Sequence, residues 1–198
     1  MWRHPILKVF LVSYIAWGAW HWNANRPVRA PDGVLADAEP QQTMIPEQRL
    51  QIGRWTLTMR ATYQLTARVL AREPYHFDAM SDLVPEDLAL GWGPMSDNSV
   101  LRTIDISQSN RFYYWRASSA TRLAREAIIS HSANTHVIPQ TPAIARALAR
   151  LRPGEVVTLS GDLVDAVRDD GRSLKTSLVR TDTGAGACEV MLVTDVTT

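Results

Sequence analysis

The run from Pro153 to Val196, PGEVVTLSGDLVDAVRDDGRSLKTSLVRTDTGAGACEVMLVTDV, constrains the fold of this chain more than any other stretch. Apolar and β-branched residues recur through it, interrupted by the turn Asp169-Asp170-Gly171 and by a glycine-rich loop from Asp182 to Ala187. Two turn clusters between β-rich segments predict at least three strands in an antiparallel meander. The rest of the domain is expected to be built on that meander.

Upstream, Trp55, Leu57, Met59, Tyr63, Leu65, Ala67 and Val69 alternate with polar residues. This period of two predicts two strands or one long bent strand, leaving the sheet near Pro74, with Trp55 facing the core. Pro85, Glu86 and Asp87 stand where a helix N-terminus favours proline and acids, so a short helix is expected over Leu88–Leu90, stopped by Gly91. After the Gly93-Pro94 turn, Ser96 or Asp97 can cap a second short helix. Residues 111–117 (RFYYWRA) read as a strand, and 122–130 as helical. The clearest helix is Thr141–Arg152: Thr141 is the N-cap, Pro142 the first helical residue, and Ile144, Leu148 and Leu151 form one stripe.

The N-terminus has a different character. Residues 5–22 (PILKVFLVSYIAWGAWHW) span about 27 Å as a helix, close to a bilayer core, and Trp17, Trp20 and Trp22 crowd one end as interfacial aromatics do. A cleaved signal peptide is the rival reading. The absence of a small-x-small site before Trp-His-Trp favours an uncleaved signal anchor over residues 1–24. Pro27, Pro31, Gly33 and Pro40 make residues 25–48 a linker, within which Gly33–Ala38 could pack as a short extended segment, and residues 49–198 form the soluble domain. A slight basic bias at the N-terminal flank places that domain outside the cytoplasm, on a single-pass protein of the inner membrane.

Charge argues against nucleic acid. Arg3 and Lys8 lie in the first 24 residues, which hold no acid, so residues 25–198 carry 19 bases against 20 acids. Such a domain has no global pull on a phosphate backbone. The aromatics in Arg111–Arg116 therefore read as a half-buried strand, with Phe112 and Tyr114 on one face and Tyr113 and Trp115 on the other. Cys188 is the only cysteine, which excludes an internal disulfide and a cysteine-based metal site; its strand context reads as a small buried hydrophobe.

Candidate chemistry is sparse. Asp182-Thr183-Gly184 resembles the aspartic-protease turn, but that mechanism needs two such aspartates, and 14 residues after Gly184 are too few for a half-protease. His131 and His136 could converge on a metal from a loop, yet a ligand set needs more groups than these two. The carboxylates Asp162, Asp165, Asp169 and Asp170 lack calcium-loop spacing. No P-loop, GxSxG elbow or Rossmann fingerprint occurs, so no cofactor and no catalytic set is expected.

Three stretches, DLALGWGPMSD (87–97), HSANTHVIP (131–139) and SLVRTDTGAGACEV (177–190), resemble an uncharacterised family of bacterial membrane-anchored proteins. The resemblance implies an envelope location and no particular activity. In that family the stretch before the DTG loop is richer in tryptophan; here Arg172-Ser-Leu-Lys175 stands there, so any surface formed by those tryptophans would differ.

The expected fold class is α+β: an N-terminal transmembrane helix, then one domain with a bent antiparallel sheet, a small OB-like barrel being its specific form, and a few short helices. The expected function is a membrane-tethered, non-enzymatic binding module with an envelope partner. A metal-dependent hydrolase using His131, His136 and a carboxylate is the alternative. The candidate binding residues are Trp92, Asp97, His131, Asn134, His136, Arg180 and Asp182.

Overall fold

The computed structural model describes residues 26–198 and, ahead of them, Val9, Phe10, Val12, Ser13, Tyr14 and Ala16 as helical. The anchor expected over residues 5–22 thus falls largely outside the described residues. Among those described, no helix is long and apolar enough to cross a membrane.

In chain order the strands are β1 (Gln41–Met44), β2 (Arg49–Ile52), β3 (Trp55–Pro74), β4 (Glu86–Gly91), β5 (Ile104–Ser109), β6 (Phe112–Ala117), β7 (Ser132–Pro139), β8 (Val156–Arg168), β9 (Ser173–Leu174) and β10 (Glu189–Thr197). Between them lie a 3-10 turn (Gly93–Ser96) and the helices α1 (Asn98–Leu101), α2 (Arg125–Ser130) and α3 (Pro142–Leu148). The domain is a mixed α+β structure dominated by one bent sheet.

β3 organises that sheet. Its residues 55–68 pair antiparallel with β8, and its opposite edge takes β2, β1 and then β4. β4 pairs with β7, β7 with β10, and β10 with β8, so the pairings return to β3 in a closed circuit. The β7–β10 contact is parallel, the one departure from antiparallel pairing among the described strands.

The alternation along β3 conceals a change of face. Met59 pairs with Val164 and Ala61 with Leu163, leaving Arg60 as a bulge. Neighbouring positions on β8 face opposite ways, so the bulge reverses the phase of β3. Trp55 and Leu57 consequently pack with Leu83, Ile138, Val164, Val190 and Leu192, whereas Tyr63, Leu65, Ala67 and Val69 pack inside the circuit with Leu88, Leu90, Val137, Leu159 and Met191. Burial of each large side chain contributes about 1.5–3 kcal/mol. Gly161 lets β8 cross close to β10, because a Cβ there would overlap the Leu192 carbonyl.

Several expectations require correction. Glu86–Gly91 is a strand, not a helix; all six residues are buried between neighbours on both edges. The histidine stretch is not a loop: β7 runs through it. The C-terminal run is not a simple meander, since Asp169–Gly171 joins β8 to β9 but β10 pairs with β8 and β7. The helix at Thr141 ends at Leu148, although its cap (Thr141 Oγ1 accepting from Ile144 N, 3.3 Å) is as expected, and Ile144, Leu148 and Leu151 all reach the interior cluster. The stretch expected as linker lies against the domain. Ser96 Oγ accepts from the amides of Leu35 and Ala36 at 3.0 Å, and β1 pairs with residues 61–64.

Candidate functional site: a cysteine, a histidine and an aspartate on the β4–β7–β10 face

β4, β7 and β10 lie side by side, with Asp87 opposite His136 and His136 opposite Val190. Leu88, Leu90, Val137 and Met191 point into the circuit. Alternation therefore turns Asp87, Asn134 and His136 to the outer face. Cys188 immediately precedes β10, on the same side as Val190. Polar residues here would normally meet water, but the β5–β6 hairpin and residues 75–85 cover this face.

The hairpin turns at Asn110 and Arg111, whose φ values of 52° and 69° mark a two-residue turn of type I′. That turn delivers Arg111 onto the sheet. Its guanidinium donates from Nε and Nη2 to Asp78 at 2.8 Å each, from Nη2 to the Val84 carbonyl at 2.9 Å, and from Nη1 to Asp87 Oδ1 at 3.3 Å. It also lies 3.8 Å from the Tyr75 ring centroid, and Tyr75 Oη accepts from the Arg111 amide at 3.0 Å.

Asp87, 0% exposed, holds His136 in place: His136 Nδ1 donates to Asp87 Oδ1 at 2.7 Å. The Cys188 thiol lies near enough to the ring to act on its charge. With Nδ1 committed to Asp87, Nε2 is the nitrogen left to serve the sulfur. Asn134 completes the set. Its Nδ2 donates to Cys188 Sγ at 3.5 Å and to the Arg111 carbonyl at 3.2 Å, while its Oδ1 accepts from Gln108 at 2.7 Å. Cys188 is half-buried with polar neighbours, not the buried hydrophobe expected of it.

Burial pulls the His136 pKa down, but the hydrogen bond to Asp87, the nearby Cys188 sulfur and the charges of both outweigh it and raise it to about 9. At neutral pH the ring is an imidazolium. A cation beside a thiol favours the thiolate, the nucleophilic form.

Cys188 opens onto a groove of about 290 Å³, lined by Phe112–Trp115, Ile129, Ser132–Asn134, Asp182–Gly184 and Ala187. A larger hollow of about 960 Å³ lies beside α3. Two of its charges, the half-buried Arg72 and the buried Glu86, pair with each other at 2.6 Å, and none of the groups converging on Cys188 reaches it.

Behind the cysteine, Glu189 points into the circuit with Oε2 unpartnered among the described residues. Burial raises its pKa to about 8. A raised acid pKa favours the folded state fully below the unfolded value of 4.5, and that contribution is lost as pH rises to about 8. Glu189→Gln should therefore leave the melting temperature nearly unchanged at pH 5 and raise it at pH 9, which thermal denaturation would read directly.

The sequence-derived residues divide among four places. Asn134 and Asp182 line the groove and His136 stands behind the thiol; Asp182 also accepts from Ser177 Oγ at 2.7 Å. Trp92 and His131 instead share Glu39, through Trp92 Nε1 at 3.0 Å and His131 Nε2 at 3.3 Å. Gly93, at φ +50°, leaves room for the His131 ring. Asp97 caps α1, accepting from Ser99 N at 2.7 Å and Gly33 N at 3.0 Å. Arg180 donates to the Pro40 carbonyl at 2.6 Å. His131 and His136 thus serve different partners, and among the described residues no group of three or more histidines, cysteines or acids could hold a metal. Sequence reasoning missed Asp87, Arg111 and Cys188. The signal available for Cys188 was its place beside a glycine-rich loop in a chain with no other cysteine.

No family model, curated protein or solved structure matches this chain. Its chemistry must be read from the site itself.

Proposed function

We propose that the domain is a thiol-dependent acyl-transfer enzyme with Cys188 as nucleophile, His136 as acid and base, and Asp87 as the residue that orients the imidazole. The observation that carries this reading is the 2.7 Å bond from His136 to the fully buried Asp87, on the face where Cys188 stands at a groove and acts on the charge of the same ring. This is the relay logic of an activated nucleophile: a base within reach, itself oriented by a third group. The thiolate attacks a carbonyl carbon and the carbonyl electron pair moves to oxygen, to which Asn134 Nδ2 can turn the proton it gives the sulfur in the free site. Collapse expels the leaving group, which takes its proton from His136 Nε2, and leaves a thioester on Cys188. Water, deprotonated by His136, attacks the thioester, releasing the acid and restoring the thiolate beside the protonated ring.

The closed strand circuit supports a finer reading of the fold, an OB-like barrel in which β3, β4, β7, β8 and β10 are the first to fifth strands. Such folds bind ligands on the face of the second and third strands and on the loops joining strands one to two and four to five. Here those are the β4–β7 face, residues 75–85 and the stretch holding Asp182 and Cys188. The analogy places a ligand at the groove without specifying chemistry.

The test is p-nitrophenyl acetate. Acetylation of Cys188 with release of nitrophenolate, lost in Cys188→Ser, is the expected result. Binding without turnover would favour a second reading, a non-enzymatic binding module. That reading has its own support in Phe112 and Tyr114, large groove-lining aromatics that remain 40% and 51% exposed. The apolar stretch 5–22 supports a membrane tether with the domain on the outer side. A fusion of residues 1–30 to a reporter is expected in the membrane fraction, and a shortened soluble product would indicate cleavage instead.

A further inference from the structure

We infer that the substrate of this site is an extended polypeptide that adds as a strand to the free edge of β6 and carries its reacting carbonyl past Cys188. The inference rests on the thiol reading above and goes beyond it by naming the substrate class.

Four consecutive residues, Phe112–Trp115, line one groove. Successive side chains of a strand point to opposite faces, so a run of four facing one cavity means that the strand presents its edge. The hairpin register identifies the groups on that edge. Ser109 pairs with Phe112 around a two-residue turn, which makes theirs a hydrogen-bonded pair. Alternation then directs the N–H and C=O of Phe112 and Tyr114 toward β5 and those of Tyr113 and Trp115 away from it. No described residue pairs with these outward groups.

The position of the edge ties it to the chemistry. Arg111, next in the outward series, has its carbonyl bonded to Asn134 Nδ2 at 3.2 Å and only 4.0 Å from Cys188 Sγ. The edge therefore begins at the nucleophile and runs on through Tyr113 and Trp115. An unpaired edge is a template for strand addition, in which main-chain bonds give affinity. A peptide paired with Tyr113 passes directly over the thiol. A small acyl ester can reach Cys188 without touching this edge, but only a backbone can use it.

A capped tetra-alanine chloromethyl ketone tests this, with chloroacetone as the same reactive group lacking a peptide. In each, the thiolate forms a carbon–sulfur bond and chloride leaves. The peptide should alkylate Cys188 at least about 100-fold faster than chloroacetone. N-methylation of alternate amides should each cost about tenfold, as one hydrogen bond and the clash of a methyl would, while methylation of the intervening amides should cost little. Equal rates for the two probes, or a uniform effect of methylation, would overturn the peptide inference; iodoacetamide alkylation that still depends on His136 would then leave the thiol reading standing. If Cys188 reacts with all three reagents only as a free thiol does, both readings fall. In Cys188→Ser, binding of a capped tetra-alanine amide should slow hydrogen exchange at Tyr113 and Trp115, and unchanged exchange at saturation would also count against the inference.

Discussion

His136→Gln should slow acetylation of Cys188 by p-nitrophenyl acetate about 100- to 10,000-fold, the range expected when a general base is lost. The fold should survive, because glutamine keeps a hydrogen-bonding group beside the fully buried Asp87. The substitution removes the titratable ring that is bonded to Asp87 and lies beside the thiol. A loss smaller than about fivefold, measured on protein whose melting transition is retained, would mean that His136 is a buried structural cation with no part in activating sulfur.

Arg111→Met should be the most destabilising single change on this face, costing about 3–5 kcal/mol, as breaking a buried charge pair does. Arg111 is 8% exposed, and its guanidinium serves Asp78, Asp87 and the Val84 carbonyl together. Methionine fills much of the stem volume but returns none of those bonds. Asp87 would then keep His136 as its remaining partner, with its other oxygen already unpartnered among the described residues. Urea denaturation gives the number. Adding Asp87→Asn should recover part of the loss, because the uncompensated charge is removed. A cost below about 1 kcal/mol would show that the hairpin is held by its apolar contacts, Ile104, Ile106 and Trp115 against Met95 and Ile128. The same variant should slow Cys188 acetylation, since Asn134 takes part of its orientation from the Arg111 carbonyl.

The parts of the fold legible in the sequence are those whose signals are local. Thr141-Pro142 marks a helix start, Asp97 a cap, and alternation from Trp55 a strand, because cap and pleat chemistry act over a few residues. Glu86–Gly91 was illegible for a physical reason. A strand buried on both faces loses the period-two pattern, and Pro85-Glu86-Asp87 then imitates a helix N-terminus. β7 was hidden in the same way, since its side chains serve the interior on one face and the site on the other. Asp87 and His136 lie 49 positions apart, and the parallel β7–β10 pairing that adds Cys188 is set by the closing of the circuit. Periodicity carries no information about such long-range register. Asn134, His136 and Asp182 stood out as polar residues among strand formers, whereas Cys188 did not, because sequence context alone treats a single cysteine as a small hydrophobe. Trp92 and His131 stood out equally and prove to clasp Glu39, so polar prominence did not separate the site from a structural tie.

The central claim is that His136 activates Cys188. The most direct measurement is the rate of iodoacetamide alkylation at pH 7 in the wild type and in His136→Gln, which reports one site because the chain has a single cysteine. With the His136 imidazolium beside the sulfur, the wild type should react at least about tenfold faster than the variant. Equal rates for the two proteins would contradict the account.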